Sequence, residues 1–526
     1  MITTLLAILS LAAVAQDPDG SWPRYYYPVA PTAAPATIEA DLCVYGGTSG
    51  GVAAAVQMRR MGKTVVIAEF GRRLGGLSSG GLGATDIGNK KAIGGISREF
   101  YQALGRHYGK DEQWTFEPKV AERTFKDWVR DSKIPVHFEQ RLKSVRKEGS
   151  RIVEIAMENG NVFRAKMFID ATYEGDLLAK AGVAYHVGRE ANAQYGETIN
   201  GVHFGNPNHN FKAAVDPYVK EGDPSSGLLP GISSDDPKKH GDGDKRVQAY
   251  NFRLCLTNVP ENRKPIAKPP GYDPERYTLG ARYINAGVWD MLRLHSKMPN
   301  GKTDLNNFGG FSTDNIGRNY DWPDGDYAVR EKIFQDHVTY QMGLLWFLQN
   351  DARVPEKIRQ EALQWGLPKD EFPETGGWPH QLYVREARRM VSALVMTEHH
   401  CRGKETVEDS VGMGAYGMDS HNCNRIARDG KVLNEGNVEV KVPKPYPIAY
   451  RSVVPREAEA SNLLVPVCLS SSHIAYGSIR MEPVFMVLGQ SCATAASMAI
   501  DAGVPVQKVD YARLRVRLLD DKQVLE

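Results

Sequence analysis

The chain is sparing with cysteine, with charge of one sign and with long apolar runs, and each shortage excludes something. Its six cysteines in 526 residues show no C-x-x-C spacing, so no zinc or dithiol motif of that type is present. Cys43 falls in an apolar strand pattern and Cys492 in a small-residue helix, where both read as inert core thiols. Cys255, Cys401, Cys423 and Cys468 have no spacing that assigns them partners. With 65 basic side chains against 63 acidic ones, no nucleic acid partner is implied. The apolar run at the start, MITTLLAILSLAAVA, is too short to anchor in a bilayer, so no stable membrane insertion is expected. It ends in Ala13-Val14-Ala15, a small-x-small cleavage pattern, and residues 1–15 are read as a signal peptide of an exported protein, periplasmic or extracellular. No repeat or low-complexity tract suggests a solenoid or a linker array. His399, His400, Cys401, Asp419, His421 and Cys423 lie near one another in sequence, but the gap between the two halves matches no ligand spacing, and no metal is expected.

What is present points to a large nucleotide-binding protein. The length, with 42% apolar residues, allows a substantial core. From Asp41 to Glu69 the chain reads as strand (DLCVY), glycine turn (GGTSGG), helix (VAAAVQMRRMGK) and second strand (TVVIAE) closed by an acid. In a dinucleotide site Gly46 permits the tight turn, the helix N-terminus points N–H groups at a pyrophosphate, Gly51 allows close packing, and Glu69 binds ribose hydroxyls. One departure stands out: the middle glycine of G-x-G-x-x-G is Thr48, so the backbone must approach phosphates past a side chain.

Three later segments extend this reading. FGRRLGGLSSGGLGATD follows Glu69 directly and resembles the phosphate and flavin contact loop of many FAD enzymes, with Arg72 and Arg73 at its start. MFIDATYEGDLLAKAGV reads as a returning strand, a polar turn and a helix, with Asp176 the candidate for a ribityl hydroxyl or a phosphate-bound water. YGSIRMEPVFMVLGQSCATAASMAIDAG reads as an arginine and a small-residue helix with Pro483 in its first turn. In FAD enzymes such a helix aims its positive end at the flavin.

The pieces set the expected organisation: a signal peptide over 1–15, a flexible segment over 16–38, a discontinuous FAD-binding domain over 39–190 and 445–526, and an inserted substrate domain over 191–444. Residues 135–166 alternate like a three-strand meander that packs on the main sheet, with turns at Glu148-Gly149 and Asn159-Gly160. Residues 205–245, rich in Asn, Gly, Pro, Asp and Lys, are expected to be a surface loop rather than a flap over the site. DYAVREKIFQDHVTYQMGLLWFLQND reads as a long helix with Tyr340, Leu344, Leu345 and Leu348 on one side and Trp346 and Phe347 in packing roles.

The stretches VYGGTSGGVAAA, LGGLSSGGLGATDIGNKKAIGGISREFY, FIDATYEGDLLA, YVREARRM, MGAYGMDSHN and SHIAYGSIRMEPVFMVLGQS together resemble the bacterial FAD-oxidoreductase family, in its exported or polysaccharide-locus members. The similarity to fumarate reductase flavoproteins is more distant, and some members of the family carry a xanthan-lyase label. The resemblance implies an α/β chain with a three-layer FAD/NAD(P)-binding Rossmann-like fold and an inserted α+β substrate domain. The FAD contacts it implies are Gly46, Gly47, Thr48, Ser49, Gly50, Gly51, Glu69, Arg73, Gly75, Gly76, Leu77, Ser78, Ser79, Ala171, Asp176, Arg480, Glu482 and Pro483, with the backbone near Leu142 meeting adenine. The LGGLSSGG loop contains no histidine, so FAD is expected to be noncovalent. Without a twin-arginine pair it would be acquired after export.

A flavin dehydrogenase needs an acid or base for the coupled proton and often a cation for a negative group. His421, in a glycine-rich loop with Asp419 two residues earlier, is the first candidate for the proton. His473, just upstream of the flavin-directed helix, is the second. Arg385, in a Tyr-Val-Arg-Glu string read as a helix start, is the candidate substrate cation, whereas Arg388 and Arg389 read as a solvated or ion-paired face. Tyr450 and Arg451 open the return into the nucleotide domain, where a cleft is expected. The expected reaction is hydride transfer between FAD and a small-molecule substrate, a sugar, uronic acid or hydroxy acid, with an electron acceptor that the residues do not identify. A polysaccharide lyase with structural FAD, using His421 with Tyr450 or Arg385, and a nucleotide-fold binding protein without turnover are the alternatives.

Overall fold

The computed structural model describes residues 21–32, 34–235, 238–294 and 296–526; the signal-peptide reading of residues 1–15 falls outside them. Thr37–Tyr45 (β1), Val65–Ala68 (β2), Val136–His137 (β3), Leu142–Glu148 (β4), Arg151–Met157 (β5), Val162–Asp170 (β6) and Leu463–Leu464 (β7) form one seven-stranded sheet. Strands β3, β2, β1 and β6 run parallel in that order, and β7 returns from far along the chain to pair parallel with Phe168 and Ile169. The parallel strands are apolar without alternation where helices cover both faces, as Leu42–Tyr45 and all of β2 show.

The meander exists, with its turns at Gly149 (φ +59°) and Gly160 (φ +92°), but it does not pack on the sheet. Its third strand is β6 itself, so β5 and β4 extend the sheet edge to edge. The cause is length: β6 runs unbroken from Val162 to Asp170, serving β5 with its first half and β7 with its second.

Five helices position the site: Ser49–Arg60 (α1), Gly76–Ser79 (α2), Tyr327–Asn350 (α3), His473–Ile479 (α4) and Glu482–Ala502 (α5). Helix α5 is rich in small residues because it lies against α1 with little room. A Cβ on Gly50 would come within 2.7 Å of the Phe485 carbonyl oxygen, and one on Gly489 would meet the Gly50 carbonyl. Helix α3 is capped by Asp326, which accepts from Val329 N at 2.8 Å. It is wedged between two apolar cores, with Tyr340, Leu344, Phe347 and Leu348 in the smaller one and Leu345 in the main one. Among the described residues between 191 and 444 the sheets have two or three strands, such as Met418–Ser420 with Val438–Val440 and Asn424–Arg428 with Lys431–Glu435. All six cysteines are buried and free.

Where flexibility was expected over 16–38, residues 21–32 are held down on the fold. The N–H groups of Tyr25 and Tyr26 donate to Glu331 on α3 at 2.8 and 2.7 Å, and Trp22 Nε1 donates to Gln335 at 2.7 Å.

Candidate functional site

A cavity of about 600 Å³ opens beyond the carboxyl ends of β1 and β2, where open α/β sheets hold ligands. Gly46 takes φ +101° at its floor, and a Cβ there would press on Ala171 and Thr172 at 3.0 Å. A Cβ on Gly51 would meet the Gly46 carbonyl, so strand and helix approach as the motif requires. Thr48 does not obstruct: its hydroxyl donates to the Ala171 carbonyl at 2.7 Å and accepts from Gly51 N at 3.2 Å. The side chain that replaces the middle glycine is therefore the N-cap of α1, and it takes only one of the four first-turn N–H groups. Glu69 accepts from Gly47 N at 2.5 Å and Gly71 N at 2.6 Å. Burial pushes its carboxyl up, and these amides offset part of that.

The second glycine run continues the cradle. Gly75 N donates to the Gly47 carbonyl at 2.7 Å, with Gly75 at φ +97° and Gly76 at φ +53° leading into α2. Leu77 N donates to the Tyr173 hydroxyl at 2.8 Å, and Ser79 Oγ donates to the Leu74 carbonyl at 2.5 Å. Glu482 lies inside the protein, accepting from Ser78 Oγ and Tyr173 OH at 2.7 Å each. The Pro483 carbonyl accepts from Ser97 at 2.9 Å. Neither Glu482 nor Pro483 borders the cavity; both tie α5 to its neighbours.

Three expected contacts are placed differently. Leu142 is buried, its N–H donating to Tyr45 OH at 3.2 Å and its carbonyl accepting from Tyr327 OH at 2.9 Å. Its neighbour Arg141 borders the cavity instead. Asp176 reaches the cavity wall but is engaged by Arg330 at 2.7 and 2.9 Å and by Arg388 at 2.8 Å. Burial alone would raise its carboxyl; the two arginines hold it at about 2. Arg73 borders the cavity with its guanidinium already paired to Glu122 at 2.7 Å and to Glu374.

Arg141 decides whether a dinucleotide fits. It is 1% exposed, its Nε has no hydrogen-bond partner, and among the described residues no carboxylate pairs with it. A buried guanidinium with no direct ion pair, only Glu139 acting on it at longer range, is costly, and a diphosphate supplies acceptors that match its donors. Together with the Gly46 floor, the first turn of α1 and Glu69, the donor set fits FAD.

A second cavity, of about 700 Å³, is bordered by His209, Arg253, Asp419 and His421 among others. Residues 76–84 run from one cavity to the other, Gly76 bordering the first and Ala84 the second. His421 is held at both ring nitrogens: Nδ1 lies 3.3 Å from Asp314 and Nε2 lies 3.4 Å from Asp419. A neutral imidazole can donate to only one of them. Burial pushes Asp419 up, but His421 and Arg480 outweigh it and hold this carboxyl well below the usual range.

Behind this wall the ring of Tyr383 is surrounded by the guanidiniums of Arg253, Arg385 and Arg480 at 5.7, 4.7 and 5.8 Å. Each arginine has its own aspartate: Asp304 at 2.7 Å, Asp314 at 2.9 Å and Asp419 at 2.9 Å respectively. The segment expected to start a helix at Tyr383 is irregular and not helical, because Arg385, Glu386, Arg388 and Arg389 each reach a different buried partner. Arg385 is 1% exposed and does not border the cavity; it acts on His421 only through Asp314. Arg480 likewise holds Asp419 rather than touching the cavity.

Sequence reading passed over His209, whose ring lies 6.3 Å from that of His421 and whose Nε2 is 3.4 Å from Glu439. The 205–245 segment, expected to be a surface loop, brings Asn208, His209 and Lys212 to the cavity. The histidine in that loop was the available signal.

The other catalytic candidates are elsewhere. His473 opens α4 inside the protein, with Nδ1 2.8 Å from Glu386 and Nε2 3.0 Å from Ser420 Oγ. The Tyr450 hydroxyl donates to the Val506 carbonyl at 2.7 Å, and Arg451 makes a surface pair with Asp409 at 2.9 Å. None of the three borders either cavity.

The profile of the FAD dependent oxidoreductase family matches residues 41–518. No curated protein matches the chain. Among solved structures, one similar to it is a flavin-containing monooxygenase from Stenotrophomonas maltophilia, 18% identical over 30% of this chain and 43% of that one, with TM-score 0.21. Another is 3-ketosteroid-delta4-(5alpha)-dehydrogenase from Rhodococcus jostii, 14% identical over 28% and 49%, with TM-score 0.20. A third is L-proline dehydrogenase from P. horikoshii, 14% identical over 30% and 59%, with TM-score 0.24. The chain spans less than half the length of the first two. The parallel sheet, the glycine cradle and the profile describe one thing, a Rossmann-like α/β fold that takes FAD, and the chain belongs to the FAD dependent oxidoreductase family.

Proposed function

We propose that the protein transfers a hydride between noncovalent FAD and a small polar molecule held in the second cavity, with a sugar, uronic acid or hydroxy acid as the substrate class. The observation that carries the reading is His421, gripped by carboxylates at both nitrogens on the wall of a polar cavity that residues 76–84 connect to the dinucleotide cavity. Gly46, the start of α1, Glu69 and Arg141 would hold FAD, which would supply the hydride acceptor or donor.

The chain's own part is to hold the substrate and handle the proton. When an alcohol carbon loses hydride, its O–H proton must leave as well, and His421 is the group on the cavity wall that exchanges it; in the reverse direction it returns that proton. Asp314 and Asp419 set the ring's orientation. Lys212, Arg293 and Lys441 border the same cavity and give a carboxylate-bearing substrate its counter-charge. Lys212 is already paired with Asp290 at 2.7 Å, whereas the Arg293 guanidinium lies 4.2 Å from the Phe308 ring. Export, supported by the small-x-small start of the sequence, places such a substrate outside the cytoplasm.

Purified yellow protein, mixed without oxygen with sugars, uronic acids and hydroxy acids in turn, is expected to lose its flavin colour with at least one of them. An unsaturated product formed without any electron acceptor, with the flavin still oxidised, would show a lyase instead.

A further inference from the structure

The dinucleotide cavity has a wall that the family profile does not include. Trp22, Arg24, Tyr25 and Tyr27 border it, and all precede residue 41, where the match begins. Glu69, Phe70 and Arg141 border the same cavity. Tyr25 stacks on Phe70, the residue after Glu69, with ring centroids 4.7 Å apart. The Arg141 guanidinium lies 5.1 Å from the Tyr26 ring and 4.3 Å from the Tyr27 ring, and its Nη1 donates to the Tyr27 carbonyl. The Tyr27 hydroxyl donates to Glu139, which also pairs with Arg72 at 3.0 Å.

We propose that residues 22–27 are part of the FAD site, a strap that closes the dinucleotide cavity and slows the release of FAD. The contacts divide into two kinds. Glu331 and Gln335 on α3 anchor the strap from outside by accepting from Tyr25 N, Tyr26 N and Trp22 Nε1. Phe70 and Arg141 grip it from the cofactor side, and Arg141 is the same buried cation whose Nε has no protein partner. A ligand that neutralises Arg141 leaves its cation–π contacts with Tyr26 and Tyr27 in place, so strap closure and FAD binding support each other. The strap cannot open without uncovering the cavity, and FAD cannot leave by that side until it does.

The test uses the whole protein. FAD release is followed as the rise of flavin fluorescence after dilution, for wild type, for Glu331→Ala, which removes the outer anchor, and for the Tyr25→Ala/Tyr27→Ala double variant. Release is expected to be about 10-fold or more faster in the double variant and intermediate in Glu331→Ala, since changes in affinity act mainly through dissociation. Unfolding of the FAD-free proteins is measured alongside, because Tyr25 also packs on Trp322 and Phe334, and release is compared where each protein is folded. In wild type, tryptic nicking after the exposed Arg24 is expected to slow about 10-fold or more when FAD is saturating, because closure protects the segment. Unchanged or slower release in the variants, or nicking at Arg24 indifferent to FAD, overturns the proposal. Should the double variant fail to fold, Glu331→Ala and the wild-type nicking decide. None of these readouts involves substrate, so they stand apart from the reading of the second cavity.

Discussion

Oδ2 of Asp314 lies 3.3 Å from Nδ1 of His421. The same carboxylate pairs through Oδ1 with Arg385 at 2.9 Å, so the arginine reaches the proposed proton-transfer group only through an intervening acid. His421→Ala is expected to leave the protein yellow and to lower turnover by about 10²- to 10⁴-fold, the range for a positioned proton-transfer group. Undiminished turnover would remove His421 from the chemistry.

Arg385→Met separates a positioning role from substrate binding. With its cation gone, Asp314 loses the partner of its Oδ1 and is free to turn away from the His421 ring that it orients. A loss in kcat with KM little changed is therefore expected. A large rise in KM with kcat kept would instead make Arg385 a substrate contact, against its burial.

FAD affinity checks the first cavity. Arg141→Met removes a charge-assisted contact of about 1.5–3 kcal/mol, so the Kd for FAD, titrated into stripped protein, is expected to rise about 10- to 100-fold. Gly46→Val should be more severe, because φ +101° strains any side chain and the Cβ meets Ala171 and Thr172 at 3.0 Å. An Arg141→Met protein that binds FAD like wild type would leave the buried guanidinium without its proposed ligand.

Asp176 discriminates a structural from a cofactor role. Its carboxylate holds Arg330 and Arg388 together, and removing one partner of such a buried network costs about 3–5 kcal/mol. Asp176→Asn is therefore expected to lower the stability of the FAD-free protein to urea. Unchanged apo stability with weakened FAD binding would restore the ribityl contact that the family resemblance implies.

What the sequence disclosed and what it concealed follow from the range of the interactions. Gly46, Gly51 and Glu69 were legible because strand, turn and helix are set within thirty residues by local spacing, and Thr48 remained useful because a threonine caps a helix. The Tyr-Val-Arg-Glu string and the two arginines that follow it misled because their shape is set from afar: Asp314, His473, Asp176 and Glu190 hold Arg385, Glu386, Arg388 and Arg389 in turn, and no local period records them. Around Leu142, where the family resemblance sets the backbone beside adenine, Leu142 itself is buried and Arg141, just before β4, borders the cavity. His209 and the strap at Tyr25 lay in segments read as loop or flexible, where the sequence shows composition but not what the backbone lies against.

The last prediction concerns pH. Burial raises the Glu174 carboxyl to about 7; Arg330 opposes the rise and Asp176 adds to it. An unfolded glutamate titrates near about 4.3, so between about 4.3 and 7 the native protein keeps a proton that the unfolded chain has released. The contribution of this group to stability is complete below that window and is lost as pH rises through it. Glu174 borders the dinucleotide cavity, and a diphosphate entering there favours its protonated form. The affinity for FAD is accordingly expected to fall as pH is raised from about 6 to 8, and Glu174→Gln, which cannot ionise, to flatten that dependence. Titrations of FAD into both proteins across this range measure it. A wild-type affinity independent of pH, or a Glu174→Gln protein with the same slope, would show that the carboxyl and the cofactor do not share the cavity electrostatically.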